Sequence, residues 1–397
     1  MLSKDSSIGE CYINRLPIEL LAAIFEEHSV LDLRAPFIDS QVCSRWHETI
    51  QHWPRVWSYI TMRSTTEHGV PINQFKAILD RSGDTPLHVN LEYPLSAIPL
   101  RVSSMMLFQC PAITRIQTLL LKGWLPDDIR VMEGMPNLRT LQLINVYWGG
   151  TIEFLFGTKS FPLLDELVVH RTELLPRVAL GSPILLRTIS FYYIDHTEWV
   201  KILAACRETL VEVFLWRCRL PPPAQIHLPN LKFLALSHML NFRNDIVAPG
   251  LAIFHERLEH LEHLVPLKFP FTFSSMTEYV CRVSSPFVGD ETLLAEGIFP
   301  NLERFVLWGT WLRIREVLWE LVSHPNAVPK LNTIELVTEN GQDLSDNQWA
   351  ELEKLVVHTP LSSALKRGTD SMPSYAHLRF PWYVVHRSSR FIYLNHH

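Results

Sequence analysis

The stretch Leu228-Pro229-Asn230-Leu231-Lys232-Phe233-Leu234-Ala235-Leu236 decides the fold, because it is one copy of a pattern that recurs along most of the chain. Its signature is an apolar triplet spaced L-x-x-L-x-L, here Leu231/Leu234/Leu236. Earlier copies are Ile116/Leu119/Leu121, Leu138/Leu141/Leu143, Leu164/Leu167/Val169, Leu186/Ile189/Phe191 and Leu210/Val213/Leu215, and later ones are Leu302/Phe305/Leu307 and Leu331/Ile334/Leu336. From 116 to 231 the copies start 22, 26, 22, 24 and 21 residues apart. Several share a lead-in, as in Met135-Pro136-Asn137-Leu138, Leu228-Pro229-Asn230-Leu231 and Phe299-Pro300-Asn301-Leu302. Each copy reads as a short strand whose alternate side chains face inward and stack on the next copy. The strands would line the concave side of a curved solenoid.

Return segments fit the same scheme. Asp195-His196-Thr197-Glu198 looks like a capping-box start before Trp199, Ile202 and Leu203. Thr310 precedes a helix over 311–322, and Ser345-Asp346-Asn347-Gln348 opens another carrying Trp349, Leu352 and Leu355. The period resembles that of leucine-rich repeats, which run roughly 20–29 residues. The copies depart from that family: its Asn or Cys after the strand is clear only at Cys218, and Asn145 falls one place early. Residues 240–298 blur, with Leu258/Leu261 as a weak copy, a 44-residue step to Leu302 and an insertion expected near 265–290. A helix over 72–79, stopped by Gly83, and a strand over 87–91 are expected to cap the N-terminal edge.

If the repeated leucines point inward, the residues between them line the concave face. That places Tyr192, Glu212, Phe214, Trp216, Phe233, Arg304, Val306 and Trp308 there. Tyr, Trp and Arg are favoured at interface hot spots. Tyr192, Phe214, Trp216, Phe233, Arg304 and Trp308 are therefore the candidate substrate-binding residues, centred on Phe214, Trp216 and Phe233. The competing reading is that the tail or an inserted loop covers them.

Ahead of the repeats, Ile13-Asn14-Arg15-Leu16-Pro17-Ile18-Glu19-Leu20-Leu21-Ala22-Ala23-Ile24-Phe25 starts a helix with Pro17 in its first turn. Leu20, Leu21, Ile24 and Phe25 recur on one helical face. A second helix is expected after Asp39 or Ser40, carrying Val42, Cys43, Trp46 and Ile50 and stopped by Pro54. Leu33 lies between as an anchor, and Pro36 is expected to bend the segment 32–39. A unit of roughly 45 residues rarely buries enough surface to be stable alone. It either caps the larger domain or meets a partner protein.

The motifs Leu16-Pro17-x-Glu19-Leu20-Leu21-x-x-Ile24-Phe25, Val42-Cys43-Ser44-Arg45-Trp46 and Val56-Trp57 resemble the F-box, over about one eighth of the chain. That family is a three-helix module that docks on the Skp-type adaptor of cullin–RING ubiquitin ligases. The resemblance implies that Leu16 and Pro17 enter the adaptor's groove while Leu20, Ile24, Val42 and Trp46 pack nearby. It makes Leu16, Pro17, Leu20, Leu21, Ile24, Phe25, Val42, Cys43 and Trp46 the adaptor-binding set. The whole resembles the F-box proteins with leucine-rich-repeat-like solenoids found in mushroom-forming fungi. The expected fold class is α/β: a flexible start at 1–12, a three-helix F-box at 13–60 and a cap or linker at 61–112. An irregular solenoid at 113–358 and a terminal cap or tail at 359–397 complete it.

The remaining composition narrows the function. Of 397 residues, 47% are hydrophobic and 19% charged, which suits a globular chain with substantial buried surface. The net charge of −5 supplies no excess of Lys and Arg for phosphate neutralisation, so nucleic acid is not an expected partner. Six cysteines lie far apart without a C-x-x-C pair, as buried thiols of a cytoplasmic or nuclear protein do. Residues 1–10 are polar and lack a signal-peptide core, and no stretch approaches a membrane span. The histidine-rich run 255–263 has spacings of five and three, not the four that a zinc-protease helix needs. Cys206 and Cys218 read as buried thiols. No G-x-S-x-G elbow or phosphate-cradling glycine loop is present. Neither catalysis nor a cofactor or metal is expected. Three functions are in play: a ligase substrate receptor holding an unknown protein target, an interaction scaffold without a ligase role, and a solenoid enzyme lacking any motif.

Overall fold

The computed structural model describes residues 12–63, 72–92, 110–123, 135–145, 161–171, 185–194, 197, 199–219, 225–237, 246–258, 273–283, 299–338, 344–357 and 359–366. The first helices are α1 (Ile18–Leu31), α2 (Ala35–Asp39), α3 (Ser44–His52) and α4 (Ile72–Arg81). Strands β1 (Tyr59–Arg63) and β2 (Leu87–Glu92) flank α4. There follow β3 (Ile116–Lys122), β4 (Thr140–Ile144), β5 (Glu166–His170), β6 (Thr188–Tyr192), helix α5 (Trp199–Ala205), β7 (Glu212–Trp216), β8 (Ile226–His227) and β9 (Phe233–Ser237). The rest is β10 (Ile246–Val247), β11 (Ile253–Leu258), β12 (Glu278–Val283), β13 (Arg304–Gly309), α6 (Trp311–Ser323), β14 (Thr333–Thr338), α7 (Asp346–Val356) and β15 (Leu365–Lys366).

Thirteen of these strands form one parallel sheet in chain order, with only β8 and β10 set aside as a separate pair. The register explains the triplets. Leu119, Leu141, Leu167, Ile189, Val213, Leu234, Phe254, Tyr279, Phe305 and Ile334 occupy one continuous row across neighbouring strands. A second row runs from Leu121 through Leu143, Val169, Phe191 and Leu215 to Leu236. Both rows are buried and belong to one core that reaches from Leu21 to Ala364. Helices α6 and α7 pack on this side through Ile314, Val317, Leu318, Leu321 and Leu352, leaving the other side of the sheet as the concave face.

The proline lead-in is a turn. The amide of Leu138 donates to the carbonyl of Met135 at 3.2 Å, Leu231 to Leu228 at 3.2 Å and Leu302 to Phe299 at 3.4 Å. Proline therefore sits at the second turn position, where its fixed φ fits. The asparagine beside it ties each repeat to the one before: Asn137 donates to Thr114, Asn230 to Glu208 and Asn301 to Ser274, at 2.7, 2.8 and 2.6 Å. A shared lead-in thus has a shared job, bridging each repeat to a backbone carbonyl of the one before.

Several expectations are corrected. Of the weak copy at Leu258/Leu261, Leu258 ends β11 and so does not open a repeat, and Leu261 lies outside the described residues. Instead Leu251/Phe254 lead one repeat and Met276/Tyr279/Cys281 another, so the step from Leu231 to Leu302 holds two further strands in register. Strand β12 occupies part of the expected insertion, while 259–272 and 284–298 lie outside the described residues. Aromatic rings take the leucine places here: Phe254 stacks on Tyr279 at 5.4 Å and Tyr279 meets Phe299 at 5.6 Å. The strand 87–92, expected as a cap, is the second strand of the same sheet, and β1 is the first. A boundary at 60 would cut through β1.

Asn145 is no misplaced copy of the family's asparagine. It ends β4 with φ 49°, a left-handed position that asparagine tolerates. The helix expected to open at Ser345 does so, with Ser345 and Gln348 forming a capping box, and Gly83, at φ 50°, stops α4. The run 195–198 falls mostly outside the described residues, although α5 follows it. Pro36 does not bend a helix but opens α2, where its missing N–H is harmless. Asp39 and Ser40 end α2, so α3 begins later, capped by Cys43 without a side-chain bond. Of the expected tail, 359–366 add β15 beside β14, and 367–397 lie outside the described residues. Among the described residues no helix is long and apolar enough to cross a membrane.

Candidate docking surfaces

Helix α1 is apolar on two opposite sides. Leu21, Ala22, Phe25 and Val30 are buried. Leu20, Ile24 and Leu31 lie within roughly 40° of one another at 3.6 residues per turn, and they point the other way. Leu20 is 54% exposed and Ile24 46%. The expectation that Leu20, Leu21, Ile24 and Phe25 share one face is therefore corrected: the two pairs separate inward and outward. Leu21 and Phe25, at 0 and 1% exposure, belong to the module's own core and offer an outside protein no surface. An amphipathic helix normally keeps its outer side polar; here exposed Glu27 shares that side with Leu20, Ile24 and Leu31.

The other motif residues surround that stripe. Val42 is 59% exposed and Ile38 is also open, Pro17 is exposed, and Leu16, Cys43 and Trp46 are half-buried. Trp46 sets its ring edge-on to Phe25 at 4.9 Å. The guanidinium of Arg45 donates to the Leu16 carbonyl, fixing the chain just ahead of α1. Pro17 stands one residue before the helix, and its carbonyl accepts from Leu21 at 3.1 Å. The module is joined to the solenoid through Trp57, whose indole N–H donates to the Ile50 carbonyl at 2.8 Å. Phe37 meets its ring edge-on at 5.1 Å, and Arg81 of α4 covers it at 4.5 Å. On the concave side Tyr59 donates to Glu26 at 3.1 Å, so α1 also lies against β1.

The concave face was expected to present its aromatic residues to a target. It does not present most of them. Tyr192, Phe214, Trp216 and Trp308 are only 4, 9, 7 and 7% exposed. Strands about 4.8 Å apart bring large side chains of adjacent repeats into contact. Tyr192 packs with Val168 and Trp216, and Trp308 packs with Val280 and Val306. Phe233 is half-buried between Phe214 and His255, with ring separations of 4.9 and 4.8 Å. The alternate residues share one side of the sheet, and there they bury one another along the rows.

Arg304 is also engaged. Its guanidinium reaches Glu278 at 3.1 Å and Glu335 at 3.0 Å, and His255 lies 3.5 Å from Glu278. The carboxyl of Glu278 is held below its ordinary value, chiefly by the neighbouring His255 ring and then by Arg304. Because the folded pKa is depressed, this stabilisation is complete above the unfolded value of 4.5 and is lost as pH falls through the folded one. Glu278→Gln is therefore expected to be less stable than wild type near neutral pH, with the difference shrinking toward acid. Urea unfolding at a series of pH values checks this, and a gap that widens in acid would contradict it.

At the C-terminal ends of β3 to β7, Gly123, Asn145, Arg171, Tyr193 and Arg217 repeat one left-handed conformation, with φ of 66, 49, 45, 55 and 46°. Their amides all donate to the next strand, as Arg171 does to Tyr192 at 2.9 Å and Tyr193 to Trp216 at 2.8 Å. A residue with a Cβ carries a cost of roughly 1–2 kcal/mol there. No sequence motif announced this column, since only Gly123 and Asn145 are the types that usually mark it.

Of the histidine-rich run, His255 lies on β11 and 259–263 lie outside the described residues. Among the described residues no group of three or more His, Cys, Asp or Glu could hold a metal. Cys206 and Cys218 are buried, and burial pushes the Cys206 thiol up to about 12.

No family model and no curated protein matches the chain. Among solved structures it is similar to the leucine-rich repeat-containing protein LegL7 from Legionella pneumophila, at 11% identity with a TM-score of 0.32, covering 77% of this chain and 92% of that one. Likeness at that level carries no weight of its own. The strand register is what makes this a mixed α/β protein whose long parallel sheet resembles a leucine-rich-repeat solenoid.

Proposed function

We propose that this chain is the substrate-recognition subunit of an SCF-type cullin–RING ubiquitin ligase. The helices α1 to α3 dock a Skp-type adaptor, and the solenoid holds a protein target. The observation that carries this is the outward apolar stripe of α1, Leu20, Ile24 and Leu31, lying among residues that resemble the F-box. Leu16, Pro17, Val42, Cys43 and Trp46 surround it. Leu21 and Phe25 support it from beneath. Bond making is left to other subunits, and this chain contributes proximity between target and ligase. Its place is the cytoplasm or nucleus, without a nucleic-acid, membrane or cofactor requirement.

Immobilised adaptor tests the proposal. Wild type is expected to be retained, and a Leu16→Ala, Pro17→Ala double variant to bind at least about tenfold more weakly, equivalent to about 1.4 kcal/mol. Failure of wild type to bind would overturn the ligase reading. The repeat sheet would then favour the second reading, a protein-interaction scaffold without a ubiquitin role.

A further inference from the structure

The left-handed column holds bulky residues where smaller ones would fit without strain. Glycine and asparagine take this conformation readily; arginine and tyrosine do not. Backbone outliers of this kind point toward work done by the side chains. Tyr193 lies against two guanidinium groups, Arg171 at 4.8 Å and Arg217 at 5.6 Å from its ring centre. Both arginines are exposed and Tyr193 is half-buried. A guanidinium stacked by its face keeps its N–H edge in plane, the edge that pairs carboxylates and phosphates through two bonds. Glu166 and Glu212 begin β5 and β7, at the opposite ends of those strands from the column. His170, beside the column, is held down to about 4, chiefly by burial and then by the charges of Arg171 and Lys122.

We propose that Arg171, Tyr193 and Arg217 form the recognition point for an acidic segment of a partner polypeptide, bearing carboxylate or phosphate groups. The proposal rests on the solenoid being the target-binding part and names the chemistry of that target.

The test uses the full chain and three fluorescein-labelled peptides: oligoglutamate, a phosphoserine-rich peptide and uncharged oligoglutamine. Anisotropy is followed at low and moderate salt for wild type, Arg171→Asn/Arg217→Asn and Tyr193→Asn. Wild type is expected to bind an acidic peptide, more weakly as salt rises, and to ignore oligoglutamine. The double variant is expected to bind at least about tenfold more weakly, with a melting temperature equal to or above that of wild type, because asparagine suits the backbone. The tighter acidic peptide identifies the preferred oxyanion. Unchanged affinity in the double variant, or no acidic peptide bound by wild type, would overturn the proposal. So would variants that melt lower but bind normally. Adaptor retention, measured alongside, reports on the helical face separately, so the two readings fail independently.

Discussion

Trp57→Ala is expected to lower the unfolding free energy by about 3–5 kcal/mol, the usual cost of emptying a large aromatic site in a packed core. Trp57 is 1% exposed and opens the first repeat, just ahead of Ile60 and Met62 on β1, all three within the shared core. Its ring is enclosed by Phe37 of α2 and Arg81 of α4, and its N–H holds the end of α3 through Ile50. Removing it opens a cavity where the helical module meets the sheet. Urea unfolding by circular dichroism measures the loss, and Trp57→Phe, which keeps most of the ring volume, should lose clearly less. A loss below about 1 kcal/mol, typical of a surface substitution, would mean that the module is not anchored there.

Leu20→Glu/Ile24→Glu should behave in the opposite way. Both side chains are about half exposed, so stability should stay within about 0.5 kcal/mol of wild type. Adaptor affinity should fall at least about a hundredfold, or about 2.7 kcal/mol, because two charges would be pressed into an apolar contact. The neighbour one residue on gives the control. Leu21→Ala, at a fully buried site, should cost about 2–5 kcal/mol of stability. Normal adaptor binding by the double variant would remove the outer face of α1 from the interface.

The repeat architecture was legible because eight copies of the leucine triplet share spacing and several share the Pro-Asn turn. It became illegible where aromatic residues took over: Phe254 and Tyr279 fill the same row as Leu234 and Phe305, but a search for leucine spacing passes over them. Ala248-Pro249-Gly250-Leu251 keeps the turn proline and was the available signal, whereas Phe273-Ser274-Ser275-Met276 lacks even that. The docking faces were half legible. Helical spacing grouped Leu20, Leu21, Ile24 and Phe25 together, yet Glu27, within roughly 60° of both Leu20 and Ile24 on the helix, was the available sign of which pair faces out. On the concave face, alternation assigned Trp216 and Trp308 to the right side of the sheet. Spacing along the chain could not show that neighbouring strands would enclose them. The left-handed column left no trace in the sequence, because arginine and tyrosine are uncommon at such positions.

The outer layer sets the curvature at β13 and β14. Helices α6 and α7 follow successive strands β13 and β14 and lie side by side. A helix is about 10 Å across, while parallel strands repeat at about 4.8 Å. The rear of these units is therefore roughly twice as wide as the front, and the stack must fan open behind and pinch together before Arg304 and Trp308. A visitor entering from this side meets a narrow bend, which favours a slender, extended segment over a broad globular surface.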